Sequence, residues 1–224
     1  IGSKVTVIDI FSTGRKENTF DFEDLGIKLI HADITQQEET SPYFSGIDFV
    51  FHHAAIASVP YSIRHPNLSR YHNVDGTISV LKNSLISGIT KVVFASSSAI
   101  YGDTRIIPTS EEIEANPQSP YASQKLEGES FCYDFFKSNK LKTSSLRYFN
   151  VFGPYQDPKS EYSAVIPKFI DLAIKGKDLI IYGTGNSTRD FVFVGDVIQA
   201  NLMAAVSDNS DGEVVNIANG QTIT

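Results

Sequence analysis

Tyr121 and Lys125 lie four residues apart at the start of a segment with helical character, and the serine run 96–98 ends the apolar strand before them. Residues at positions i and i+4 share one face of a helix, so the ammonium should lie beside the phenol. A nearby cation favours the tyrosinate, which predicts a lowered pKa for Tyr121. With a serine hydroxyl to hold the substrate oxygen, this set predicts a general base that takes a proton from an alcohol while a nicotinamide takes the hydride.

The elements that position these residues alternate along the chain. Alternation of strands with helices predicts a parallel sheet with crossover helices. The shift in texture after Pro154 places a domain change near residue 151. The patterns predict strands over 4–9, 27–31, 47–53, 91–95, 143–148, 179–182, 191–194 and 213–217, and helices over 66–87, 120–139, 164–174 and 196–206.

The serine run followed by Tyr121-x-x-x-Lys125 resembles the extended short-chain dehydrogenase/reductase family, from Val5 to about Val215. The resemblance implies an α/β fold, a Rossmann-like doubly wound parallel sheet that binds NAD. It implies an NAD-binding domain over 1–150. Residues 151–224 would form part of a smaller substrate lobe, with some elements returning to the Rossmann domain.

The glycine-rich turn that holds the cofactor pyrophosphate in this family has no counterpart in the sequence. The chain opens at what resembles the family's second strand, and the family's substrate lobe continues beyond Thr224. We therefore expect a fragment without the first strand and turn. Because that strand belongs at the centre of the sheet, we expect the fragment to fold poorly or to bind the cofactor weakly.

An acid that ends the first visible strand, Asp9, is suited to bind the ribose hydroxyls of the cofactor and to repel a 2′-phosphate, which favours NAD over NADP. The resemblance assigns Asp33 and Ile34 to the adenine, and small residues after the third strand let the backbone approach the cofactor. The full set expected to bind the cofactor is Asp9, Thr13, Asp33, Ile34, Ala54, Ala55, Asn73, Ser96, Tyr121, Lys125 and Tyr148.

Arg189 is the strongest candidate for the substrate, because a guanidinium grips a diphosphate with two hydrogen bonds. Ser97 is expected to be the catalytic serine, and Ser98 can serve in its place. The start of the helix at 164–165 is suited to phosphate. The resemblance implies a substrate set of Ser58, Ser97, Ser98, Asn150, Ala164, Val165, Tyr182 and Arg189.

The reaction class depends on Ser98-Ala99, where related dehydratases and decarboxylases carry an acid. Without that acid we expect the enzyme to transfer only a hydride and a hydroxyl proton, and not to remove a proton from carbon. The segment 147–154 resembles UDP-hexose 4-epimerases, and 156–158 with 162–167 resembles the UDP-N-acetylglucosamine branch. Three alternatives stay open: another enzyme of the family, such as a UDP-glucuronate epimerase or 4-keto-sugar reductase; a non-catalytic dinucleotide-binding regulator; and an inactive fragment.

Composition limits the partners. The net charge of −7 and the absence of a basic cluster argue against nucleic acid. The single cysteine, Cys132, excludes a disulfide framework, and the pair His52 and His53 lacks a third metal ligand at suitable spacing. No apolar run is long enough to span a bilayer, so we expect a cytoplasmic protein that does not contact a membrane. The resemblance implies a homodimer formed through a four-helix bundle.

Overall fold

The computed structural model describes residues 2–139, 141–158, 165–181 and 183–224, and it shows strands alternating with helices, as the sequence predicts. The strands within these residues are β1 (Thr6–Asp9), β2 (Lys28–His31), β3 (Phe49–His52), β4 (Lys91–Ser97), β5 (Lys142–Tyr148), β6 (Asn150–Phe152), β7 (Arg189–Phe193), β8 (Val214–Ile217) and β9 (Thr222–Ile223). The helices are α1 (Gln37–Thr40), α2 (Val59–Arg64), α3 (Pro66–Arg70), α4 (Gly76–Ile86), α5 (Pro120–Asn139), α6 (Val165–Ile174) and α7 (Val194–Val206).

The main sheet is parallel throughout, with the strand order β3-β4-β5-β8. Strands β1 and β2 form a separate parallel pair, and β7 joins a parallel β6 to an antiparallel β9. The parallel α/β architecture is therefore confirmed. Within the described residues, β1 has no strand partner on the side away from β2. The expected absence of a first strand stays a prediction.

The main sheet is covered on both faces, which explains why its central strand reads as a continuous apolar run. Val92 and Phe94 of β4 belong to one buried cluster with Leu81 of α4. Val93 belongs to a second cluster with Leu146 and with small residues of α7. The alternation of side chains along β4 therefore divides the core between two helical layers.

Helix α5 carries the tyrosine and lysine, and its start follows local rules. Pro120 occupies the first helical position, where its missing N–H costs nothing. The Ser119 hydroxyl accepts a hydrogen bond from the amide of Ala122 at 3.2 Å. Gly128 lets the helix approach β4, because a Cβ there would be 2.5 Å from the ring of Phe94.

Several sequence expectations need correction. The helix expected over 66–87 is interrupted by a π-helical turn, Tyr71–Asp75, between α3 and α4. Residues 179–181 do not form a strand, and Tyr182 lies outside the described residues. Four short elements, α1, α2, β6 and β9, were not predicted, because each is too short to show a periodic pattern.

The three phenylalanines of α5 pack against other parts of the chain, and each keeps part of its surface exposed. Phe131 and Phe135 pack against the buried cluster around Phe94. Phe136 lies against Gly212, where a Cβ would be 2.3 Å from its ring. Among the residues described, no helix is both long and apolar enough to cross a membrane.

Candidate functional site

The expected catalytic residues meet where β4 ends and α5 begins. The amide of Tyr121 donates to the Ser62 hydroxyl at 3.1 Å, which fixes the first turn of α5 against α2. The ammonium of Lys125 donates to the carbonyl of Ala95 at 2.6 Å and lies 4.9 Å from the centroid of the Phe94 ring. Lys125 is only 5% exposed, so its position relative to β4 is fixed.

Ser97 is the residue of the serine run that the structure brings to Tyr121. Its backbone is extended, its side chain accepts from the amide of Ala99 at 3.2 Å, and its hydroxyl lies close enough to the Tyr121 phenol to lower the pKa of that phenol. Ser98 begins the short turn that follows. The structure therefore places the expected donor and the expected base side by side, as the spacing predicts.

The expected effect of Lys125 on Tyr121 is wrong for this structure. Burial raises the pKa of Tyr121 above its ordinary value, and the hydrogen bond from Ser97 lowers it only in part. The lysine ammonium is 6.0 Å from the centroid of the tyrosine ring and is bonded to a carbonyl. Burial also lowers the pKa of Lys125 itself to about 8. Sequence spacing places the pair together but carries no information on desolvation.

Two neighbouring histidines lie near the site, one at the end of β3 and the other directly after it. His52 is buried and lies 2.8 Å from the Thr77 hydroxyl, and burial lowers its pKa to about 3. His53 lies 3.1 Å from the hydroxyl of Tyr148 and stacks on its ring. Tyr148 also contacts Asn201 of α7, and burial raises its pKa to about 12. Within the described residues, no group of three or more His, Cys, Asp or Glu is arranged to hold a metal ion.

The adenosine side of the expected NAD site lies at the ends of β1 and β2, which run side by side with Asp9 opposite His31. The Asp9 carboxylate accepts from the amide of Phe11 at 2.6 Å. Gly14 approaches it so closely that a Cβ would be 3.3 Å from Oδ2. A carboxylate left accessible by a glycine can accept hydrogen bonds from two ribose hydroxyls, so Asp9 fits NAD.

The other expected cofactor residues divide into two groups. Thr13 and Ala54 are exposed and Ala55 is half-buried, so these three have accessible surface. Asp33 accepts from the amide of Thr35 at 2.9 Å, and Ile34 packs against Gly76. Their main contacts in this structure are therefore within the protein.

Asn73 is buried inside the π-helical turn and ties the loop after β3 to α5. Its Oδ1 accepts from the amide of Ile56 at 2.7 Å, and its Nδ2 donates to the Ile56 carbonyl at 3.0 Å. The same Nδ2 donates to the Gln124 side chain at 2.8 Å. Sequence reasoning missed Gln124. Its amide side chain directly before Lys125 was visible in the sequence, and the structure shows that it is buried.

The structure brings together only some of the residues that are expected to bind the substrate. Ser58 is buried, and its hydroxyl caps α2 by accepting from Tyr61 at 2.7 Å. Asn150 donates to the carbonyl of Asp190 at 2.7 Å, which brings it near Arg189 on the paired strand β7. Arg189 and Val165 are exposed. Ala164 and Tyr182 lie outside the described residues.

A buried charged network behind β4 was also missed. Ser96, expected to line the cofactor site, instead donates its hydroxyl to Glu129. Glu129 forms two hydrogen bonds with Arg147, at 2.9 and 2.7 Å. Arg147 in turn donates to the hydroxyl of Tyr101 at 2.8 Å. An acid four residues after Lys125 on the helix was the available signal.

Comparisons with known proteins agree with this geometry. A putative UDP-glucose 4-epimerase from Methanocaldococcus jannaschii is 39% identical over 219 residues, which cover 97% of this chain and 69% of that protein. The UDP-N-acetylglucosamine 4-epimerase from Methanobrevibacter ruminantium, solved with UDP-N-acetylmuramic acid, superposes with a TM-score of 0.94 at 39% identity, covering 99% of this chain and 70% of that one. The UDP-glucose 4-epimerase of Thermus thermophilus, solved with NAD, gives 0.89 at 33% identity, covering 100% and 72%.

The family comparison spans almost the whole chain. The model described as the NAD dependent epimerase/dehydratase family matches residues 2–218. The match includes Asp9, the serine run and the Tyr121–Lys125 pair. On this match and on the likeness to solved structures, the chain belongs to the NAD-dependent epimerase/dehydratase family.

Proposed function

We propose that this protein interconverts UDP-hexoses or UDP-N-acetylhexosamines by inverting the sugar at C4 through a 4-keto intermediate. The observation that carries the proposal is the pairing of Ser97 with Tyr121, followed by Ser98 and Ala99 where an acid would be needed to remove a carbon-bound proton. Such a site has a base for one hydroxyl, and neither of the two residues that follow Ser97 is an acid.

The residues of the chain act on the C4 hydroxyl. Ser97 donates a hydrogen bond to the substrate oxygen, and Tyr121 removes its proton as general base. Because burial raises the pKa of Tyr121, the base needs positive charge near it to work at neutral pH, and the nicotinamide of a bound cofactor would supply it. Bound NAD would provide the acceptor and donor of the C4 hydride, and Asp9 would hold it at the adenosine ribose.

The substrate must turn over between the two transfers, so its diphosphate has to be held away from the reacting carbon. Arg189 is exposed on β7 and is suited to bind the diphosphate bidentately. Asn150 lies on the adjacent strand. With the diphosphate anchored there, the 4-keto sugar can present either face to the nicotinamide.

Mass spectrometry tests the reaction class. Relatives in the same family include a UDP-glucuronic acid decarboxylase from Xenopus tropicalis, 32% identical over 226 residues. An epimerase yields a product with the mass of its substrate, whereas a decarboxylase or dehydratase releases carbon dioxide or water. Loss of either group from a UDP-sugar would overturn the proposal. Tightly bound NAD after purification would distinguish an epimerase from a reductase, which releases its cofactor.

The substrate branch is tested by comparing kcat/KM for two pairs of sugars. Small side chains at Ser98 and Ala99 leave room for an acetamido group, so we expect UDP-N-acetylglucosamine and UDP-N-acetylgalactosamine to interconvert, with UDP-glucose and UDP-galactose accepted too. If the acetylated pair is slower by more than about tenfold, which corresponds to about 1.4 kcal/mol, the plain-hexose assignment replaces this one.

A further inference from the structure

The buried pair of Glu129 and Arg147 takes no part in the proposed reaction, yet both residues are charged and only 5% and 7% exposed. Apolar residues of the same volume often stabilise a fold as well as a buried ion pair does. Stability alone therefore does not explain two charges at this place. Glu129 lies one helical turn after Lys125, directly behind the end of β4.

Three residues on one face of α5 contact three consecutive residues of β4. Tyr121 lies beside Ser97, the ammonium of Lys125 donates to the Ala95 carbonyl at 2.6 Å, and Glu129 accepts from the Ser96 hydroxyl. The helical residues are spaced at i, i+4 and i+8. Each contact fixes the height of the helix against the strand, and the contact of Glu129 is the one farthest from the reacting atoms.

Residues of the neighbouring strands hold Glu129 in place. Arg147 of β5 is the register partner of Ser96, so Glu129 binds two residues that lie side by side. Arg147 continues to Tyr101, whose hydroxyl donates to Asn216 of β8 at 2.8 Å. The glutamate thus joins α5 to three strands of the sheet at the level of the serine run.

We propose that Glu129 is a positioning residue that holds the end of β4 against α5, through Ser96 and Arg147, so that Ser97 meets Tyr121. The inference rests on the proposed function for the roles of Ser97 and Tyr121. A second observation agrees with it. Burial lowers the pKa of Lys125 to about 8, and the Glu129 carboxylate raises that pKa, which keeps the lysine charged.

The test uses Glu129→Asp, which keeps the charge but is one methylene too short to reach both Ser96 and Arg147. Ser96→Ala is the second variant, because it removes one contact and leaves the ion pair intact. The control is Glu127→Asp, which shortens an acid on the same helix that pairs with Arg70 at the surface. All three are made in the intact protein.

The first readout is the titration of Tyr121, followed by NMR of the isotope-labelled phenol and assigned with Tyr121→Phe. The Ser97 hydrogen bond lowers the pKa of Tyr121, so its loss in Glu129→Asp and Ser96→Ala should raise that pKa, and Glu127→Asp should leave it unchanged. The second readout is turnover of UDP-sugars, in which kcat should fall about 10²-fold in Glu129→Asp with little change in KM.

The two readouts separate this inference from the proposed function. If the wild-type protein turns over no UDP-sugar, the proposed function fails and the Tyr121 titration alone decides the positioning role. If Glu129→Asp and Ser96→Ala lower the melting temperature but leave the Tyr121 titration and kcat as in wild type, Glu129 is only structural and the inference is overturned.

Discussion

Tyr121 has a half-buried side chain whose phenol lies beside the Ser97 hydroxyl, and at the scale of single residues these two features govern how it loses its proton. Tyr121→Phe keeps the ring and its packing but removes the ionisable group. We expect turnover to fall at least about 10²-fold, the usual contribution of a general base, with an unchanged melting temperature. Tyr133→Phe, which alters an exposed tyrosine on the same helix, is the control. Near-normal turnover in Tyr121→Phe would remove this residue from the mechanism.

Because His52 is buried, we expect the fold to become less stable in acid. Burial lowers its pKa from 6.5 to about 3, so between these values the unfolded chain binds a proton that the folded chain does not. The free energy of unfolding therefore falls as the pH falls from 6.5 towards 3. The difference in pKa corresponds to at most about 5 kcal/mol.

His52→Gln tests this contribution, because an amide can still hydrogen-bond to Thr77 but does not titrate. We expect the variant to lose less stability than wild type between pH 6.5 and 3, measured by urea unfolding at several pH values. His65→Gln, which changes an exposed ring, is the control. Parallel pH curves for wild type and His52→Gln would show that His52 does not contribute.

At the scale of elements, the approach of α5 to β4 depends on Gly128. Alanine is the better helix former by about 1 kcal/mol, so propensity alone predicts that Gly128→Ala stabilises α5. A Cβ would, however, be 2.5 Å from the Phe94 ring in a packed core. We expect overpacking to dominate and to lower the free energy of unfolding by roughly 1–3 kcal/mol.

Denaturant unfolding of Gly128→Ala measures this balance, and Ser130→Ala at an exposed position of the same helix serves as the control. Adding Phe94→Leu should recover part of the lost stability, because the shorter side chain leaves room for the new methyl group. A Gly128→Ala protein more stable than wild type would contradict the steric account.

At the scale of the whole molecule, the surface expected to form the homodimer carries exposed apolar residues. The phenylalanines of α5 are partly buried, whereas Leu68 of α3 and Ile63 of α2 are 46% and 61% exposed beside that helix. Isolated exposed apolar residues are common, so their exposure alone does not establish an interface. The four-helix bundle implied by the resemblance stays a prediction.

Light scattering of the intact protein at micromolar concentration should give the mass of a dimer, and Leu68→Glu should shift it towards the monomer by placing a charge in the interface. The control Ile170→Glu changes an exposed apolar residue of α6, away from these helices. A wild-type monomer, or a Leu68→Glu protein that stays dimeric, would count against the predicted surface.

Local patterns in the sequence were enough to predict most of the α/β framework and to predict that the candidate catalytic residues lie together. The apolar run of β4, the cap at Ser119-Pro120 and the i, i+4 spacing of Tyr121 and Lys125 are local signals, because they depend on backbone geometry within a few residues. The placement of Ser97 beside Tyr121 followed from the same order of strand and helix.

Only the tertiary structure decided which groups are buried and what they contact. The pKa of Tyr121 is raised rather than lowered, Ser96 faces Glu129, and Phe131 and Phe135 of α5 pack against the cluster around Phe94. Each of these depends on residues distant in sequence, such as Arg147 behind Ser96. Desolvation and long-range packing arise when strands and helices come together, and a pattern of neighbouring residues contains neither.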